Sequence, residues 1–122
     1  MRVLMLEDEP PQQEVLGVML ASLGFEVLRA ADVEEALTLV DEEIDAAILD
    51  VVVPDPALEG RNGISVLVSL RKRYPNLPIV VFTGSLLSEE EVDLVCSLKA
   101  CLLSKPLPYQ QLVDFLQESR LH

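Results

Sequence analysis

The chain has 122 residues and a net charge of −12, from 9 Lys plus Arg against 21 Asp plus Glu. That length points to one domain over residues 1–122, large enough to bury roughly two thirds of its unfolded surface without a metal or disulfide. Half of the residues are apolar, which excludes a disordered acidic tail, and the acidic balance argues against nucleic acid or an anionic membrane as partners of this domain.

In chain order, a short apolar run at residues 3–6 predicts a first strand, and Leu16, Met19, Leu20 and Leu23 follow at helical spacing. Gly24 supplies a helix stop before a second apolar run at 25–28. Asp32 with Glu35 forms a capping-box pair, and Val33, Ala36, Leu37 and Val40 carry the second helix. A third run occupies 46–49, followed by an irregular stretch at 51–62 containing Pro54, Pro56 and Gly60. A loop of that size in a small domain is usually functional. Leu67, Leu70 and Tyr74 mark the third helix, closed by Pro75 and Pro78. A fourth run lies at 79–82, a second capping box at Ser88 and Glu91, and a less regular helix at Val92, Leu94, Val95 and Leu98. The fifth run is 100–103, and Tyr109, Leu112, Val113 and Leu116 give the last helix.

Strands that read as continuous apolar runs are covered on both faces. Five of them alternating with helices predict an α/β fold: a five-stranded doubly wound parallel sheet in a flavodoxin-like three-layer sandwich. No apolar run approaches the ~20 residues of a membrane span. The first residues are no signal peptide, because four apolar positions end in acid. A cytoplasmic setting is expected, and Cys96 and Cys101 are then expected to be reduced core thiols. The single histidine, His122, is the last residue, so histidine chemistry is not expected.

In open sheets of this kind, sites form beyond the carboxyl ends of the strands at the switch point of strand order. The first strand ends in Glu7, Asp8 and Glu9, and the third in Asp50. The fourth ends in Thr83, Gly84 and Ser85, and the fifth in Ser104, Lys105 and Pro106. Two carboxylates ~5 Å apart repel by roughly 3 kcal/mol at an effective dielectric near 20. A hard dication such as Mg²⁺, which takes one or two carboxylates plus phosphate oxygens, relieves that repulsion. Lys105 is a compact charge suited to a phosphoryl oxygen, and Thr83 can donate to another. No Gly-rich nucleotide cradle is present. Val52 stands where an aspartate-nucleophile phosphatase usually carries a second Asp.

Four pieces, VLMLEDEP at 3–10, AAILDVVVP at 46–54, IVVFTG at 79–84 and LLSKP at 102–106, together resemble the receiver domain of two-component response regulators. The resemblance covers essentially the whole chain. It implies that Asp50 is the phosphoacceptor and that Glu7 and Asp8 help to bind Mg²⁺ along with Asp50 and the backbone carbonyl of Val52. It further implies that Thr83 follows the phosphoryl group and Lys105 pairs with it. The implied phosphodonor is a sensor histidine kinase or a histidine phosphotransfer protein. The implied output is contact with a downstream target or output domain through the face made by the fourth helix, fifth strand and fifth helix. That is signalling rather than turnover of a small molecule. The resemblance also allows a homodimer, and no output domain is expected within this chain.

Three features depart from the family pattern. Eight residues, 55–62, separate Pro54 from Gly63, five more than is usual. Leu102 occupies the usual aromatic switch position. Val52, two residues past the acceptor, offers no polar group to orient water. Leu102 and the long loop keep open a second reading, a degenerate receiver acting as a phosphorylation-independent interaction module.

Overall fold

A right-handed crossover places each connecting helix on the face dictated by the direction in which the chain moves along the sheet. The computed structural model describes residues 2–7, 9–40, 43–50, 63–83, 89–104 and 109–120, with the backbone alone at 50, 83, 104, 119 and 120. Its elements are β1 (Arg2–Leu6), α1 (Pro10–Ser22), β2 (Glu26–Ala30), α2 (Val33–Leu39), β3 (Ala46–Asp50), α3 (Gly63–Arg73), β4 (Ile79–Thr83), α4 (Glu89–Ser97), β5 (Cys101–Ser104) and α5 (Tyr109–Arg120). The strands form one parallel sheet in the order β2-β1-β3-β4-β5. The chain moves outward from β1 to β2, then reverses and runs through β3 to β5, so α1 lies on one face and α2, α3 and α4 on the other.

The apolar rows of the strands match those faces. Val3, Met5, Ala46, Ile48, Val80 and Phe82 are buried with Leu16 and Leu20 of α1 and Leu112 and Leu116 of α5. Leu4, Leu6, Ala47, Leu49, Ile79 and Val81 are buried with Val33 of α2, Val66, Leu67 and Leu70 of α3, and Val95 of α4. This is the expected doubly wound, three-layer architecture. Each fully buried aliphatic side chain contributes roughly 1.5–3 kcal/mol of hydrophobic driving force.

Local signals hold in most places. The Asp32 side chain accepts from the Glu35 N–H at 2.8 Å, capping α2 as expected. Gly24 has φ 89°, a left-handed conformation that ends the turn after α1. Ser88 of the second capping pair lies outside the described residues, as does the 51–62 loop.

Two expectations change. The apolar run at 25–28 is out of step with β2, which pairs over Glu26–Ala30. Phe25 is buried, but its N–H donates to Leu20 O at 3.1 Å, closing the turn after α1. β2 is an edge strand, so Glu26 and Arg29 can face solvent within it, and apolar pattern alone misplaces it. Cys96 is not a core thiol but is exposed on α4, whereas Cys101 is half-buried on the edge strand β5 and packs against the core cluster on the α1 and α5 side.

Arg71 lies in the last turn of α3. Its Nε donates to Leu98 O at 2.8 Å, and its Nη1 to Tyr74 O at 3.1 Å and Pro75 O at 3.0 Å. Partial burial pulls its pKa below the ordinary arginine value. A cleft of about 230 Å³ adjoins it, lined by Arg71, Pro75, Ser97, Leu98 and Lys99. The C-terminal ends of α3 and α4 each carry about −0.5 charge, so the guanidinium is matched by protein carbonyls and ties the two helix ends together. Replacement of Arg71 by Met keeps the aliphatic reach and removes all three bonds. A loss of about 2 kcal/mol is expected, read as a lower urea midpoint at unchanged slope. An unmoved midpoint would mean that water serves those carbonyls equally well.

Candidate functional site

The strand order reverses between β1 and β3, and in open parallel sheets sites form at the carboxyl ends of the strands at such a switch point. Glu7 follows β1 directly and is fully buried. Its N–H donates to Ala30 O at 3.0 Å, extending the β1–β2 ladder by one step. Its Oε1 accepts from the N–H of Glu9 at 3.0 Å. Glu9 is the residue before α1, and that helix begins on Pro10 and Pro11, which have no N–H to satisfy. The Glu7 carboxylate therefore takes part in closing the start of α1.

Asp50 ends β3. Leu6 pairs with Leu49, so Glu7 and Asp50 stand at the same level on adjacent strands, about 4.8 Å apart in the backbone. By the same register, position 50 continues the row of Ala46 and Ile48, and position 7 the row of Val3 and Met5. Asp50 pairs with Phe82, Thr83 is the next residue of β4, and Thr83 pairs with Ser104. The sheet thus brings the chain positions of Glu7, Asp50 and Thr83 to one edge on three adjacent strands. Asp8, Val52 and Lys105 lie outside the described residues, although Asp8 follows Glu7 in the chain and Lys105 follows Ser104. Leu102 is half-buried and packs against the cluster that holds α2, α3 and Val95 of α4. Glu9 is exposed, and it is its backbone N–H that meets the site.

One residue at this edge escaped sequence reasoning. Gln13 donates from Nε2 to Glu7 O at 3.1 Å and to Ala30 O at 3.4 Å. The signal was present: Gln13, Leu16, Gly17 and Leu20 follow i, i+3, i+4, i+7, and the last three are buried. A polar side chain on the apolar stripe of a helix has a polar partner to reach. Its neighbour Gln12 donates to the Tyr109 hydroxyl at 3.1 Å, linking α1 to α5.

A fully buried carboxyl beside a second acidic strand end is a hard-oxygen donor set. Burying a carboxylate is costly unless it is paired or bound to a cation, and Mg²⁺ with oxygen ligands fits these residue types.

Several solved structures share this architecture. A CheY-like receiver domain protein from Methanospirillum hungatei JF-1 superimposes with a TM-score of 0.85 at 24% identity, over 96% of this chain and 90% of that one. The response regulator TrrA from Thermotoga maritima, in complex with Mg²⁺ and BeF, gives a TM-score of 0.78 at 26% identity, over 97% of each chain. The receiver domain of the hybrid histidine kinase CckA gives 0.76 at 28% identity, over 98% of each chain. The family model of the response regulator receiver domain matches residues 3–117. With the parallel sheet, its strand order and nearly the whole chain matched, this protein belongs to the response regulator receiver domain family.

Proposed function

We propose that the domain accepts a phosphoryl group on Asp50 from the phosphohistidine of a sensor histidine kinase or a histidine phosphotransfer protein, in a Mg²⁺-dependent reaction. The observation that carries this reading is the buried Glu7 carboxyl at the switch point, level with the end of β3 that bears Asp50. The Mg²⁺–BeF complex of TrrA, a relative at 26% identity, supports the cation and the phosphoryl chemistry.

In the transfer, an Asp50 carboxylate oxygen attacks phosphorus in line while the N–P bond of the donor breaks, and the imidazole leaves with the electron pair. The product is an aspartyl phosphate. Glu7, Asp8, Asp50 and the carbonyl of Val52 would hold the metal, which when bound would supply positive charge to the phosphoryl oxygens. Lys105 adds a fixed positive charge, and Thr83 donates its hydroxyl to a phosphoryl oxygen. Positioning and electrostatics supply most of the acceleration in such transfers. Later attack of water on the same phosphorus returns the free carboxylate, so the chain is a timed signal and turns over no small molecule.

The added charge, about −1.5 to −2, draws Thr83 inward and biases the α4–β5–α5 face between two states, to which a target or output domain binds differently. A homodimer through this face is one form of that output. We place the domain over residues 1–122, acting in the cytoplasm. Among the described residues no helix is long and apolar enough to cross a membrane.

The half-buried Leu102 favours a second reading, an interaction module that works without phosphate. One measurement separates the two. With Mg²⁺ and beryllofluoride, amide shifts of Thr83 and its neighbours are expected to move in the wild type and to stay still in Asp50→Ala. A wild type that ignores both additives belongs to the second reading. The lifetime of the phosphate gives an independent check. Val52→Asn introduces a polar group that can orient water, and severalfold faster decay of the phosphorylated form is expected by mass spectrometry. Equal or slower decay would remove the role given to Val52.

A further inference from the structure

The bonds around Glu7 form a small network. The N–H of Glu7 and the side chain of Gln13 both donate to Ala30 O, at 3.0 and 3.4 Å. Gln13 also donates to the carbonyl of Glu7 itself at 3.1 Å. Glu7 Oε1 in turn accepts from Glu9, whose own carbonyl accepts from the N–H of Gln13 at 2.9 Å. The peptide on either side of Glu7 is therefore held by β2, by the first turn of α1 and by one side-chain amide. The β1–β2 ladder pairs Leu6 with Ala30, and the Glu7 N–H adds one further step to it.

We infer that Gln13 is a positioning residue: by pinning the Glu7 carbonyl to the end of β2, it fixes the direction in which the Glu7 carboxylate enters the crevice beside Asp50. This rests on the phosphoacceptor reading for its purpose, but the geometry belongs to the free protein. The partners that orient a metal ligand matter nearly as much as the ligand, and their removal typically weakens metal binding about 10–100-fold. The role differs from general bracing of α1. Gln12, one residue away with the same side chain, spends its amide on Tyr109 and touches neither Glu7 nor Ala30.

The test compares Gln13→Met with Gln12→Met, each losing an amide at nearly constant bulk. Two properties are read by NMR: exchange of the Glu9 amide proton without metal, and the Mg²⁺ dissociation constant. In Gln13→Met, the Glu9 amide is expected to exchange severalfold faster, since its acceptor is no longer held, and the dissociation constant to rise about tenfold. Gln12→Met leaves both within twofold. An unchanged Glu9 amide in Gln13→Met overturns the inference, as does an unchanged Mg²⁺ affinity in a protein that binds the ion, or equal weakening by both variants. A wild type that binds no Mg²⁺ overturns the phosphoacceptor reading instead, and the Glu9 amide alone then decides the role of Gln13. If Met crowds the strand ends and the variant does not fold, Gln13→Ala removes the same amide without bulk and is judged by the same readouts.

Discussion

Acidic strand ends on neighbouring parallel strands repel, and the fold accepts that repulsion at one place. β1 and β3 lie side by side at the point where the strand order reverses, the place where sites form in open parallel sheets. The ladder registers set Glu7 and Asp50 level with each other. Two charges at ~5 Å cost roughly 3 kcal/mol at an effective dielectric near 20, comparable to what one well-buried leucine contributes. Rows of buried aliphatic side chains on both faces of the sheet carry that load. On the proposed reading, the same adjacency that costs stability would give a cation and a phosphoryl group somewhere to bind.

Much of this was legible in the residues because it depends on burial, and burial leaves apolar runs. β1, β3 and β4 sit inside the sheet and were readable to within a residue at each end. β2 lies at an edge, where one row faces water, and its apolar run begins on Phe25, which belongs to the turn before it. Cys96 was misread for a related reason. Cysteine is usually buried, but α4 has only Val95 fully buried and shows Cys96 to solvent. The acidic and hydroxyl strand ends were readable because the switch-point rule says where to look, not because any one of them is distinctive.

What stayed hidden is the set of bonds between side chains and backbone carbonyls. Arg71 and Gln13 both spend their N–H groups on carbonyls at the ends of elements. Which carbonyls stand unpaired depends on where each ladder or helix stops, and a one-residue difference in β2 moves the whole answer. Arg71 belongs to a basic last turn that suits the helix dipole, and its cation also bridges two helix ends. For Gln13 the only trace was a polar residue in the stripe of Leu16 and Leu20.

Leu102 shows where site and output come apart. Acceptance of a phosphoryl group needs oxygens and a cation at the carboxyl edge, and nothing about residue 102 enters that chemistry. Transmission needs an element with two arrangements of similar energy. An aromatic ring at that position has a large body to bury and a second place to put it. Leu102 is branched, shorter and packed against the cluster on the α3 and α4 side, where expelling it would cost part of the roughly 1.5–3 kcal/mol that burial of such a side chain contributes. On the proposed reading, an inward movement of Thr83 would meet a leucine already seated against that cluster, and the output would not depend on a swinging side chain on β5.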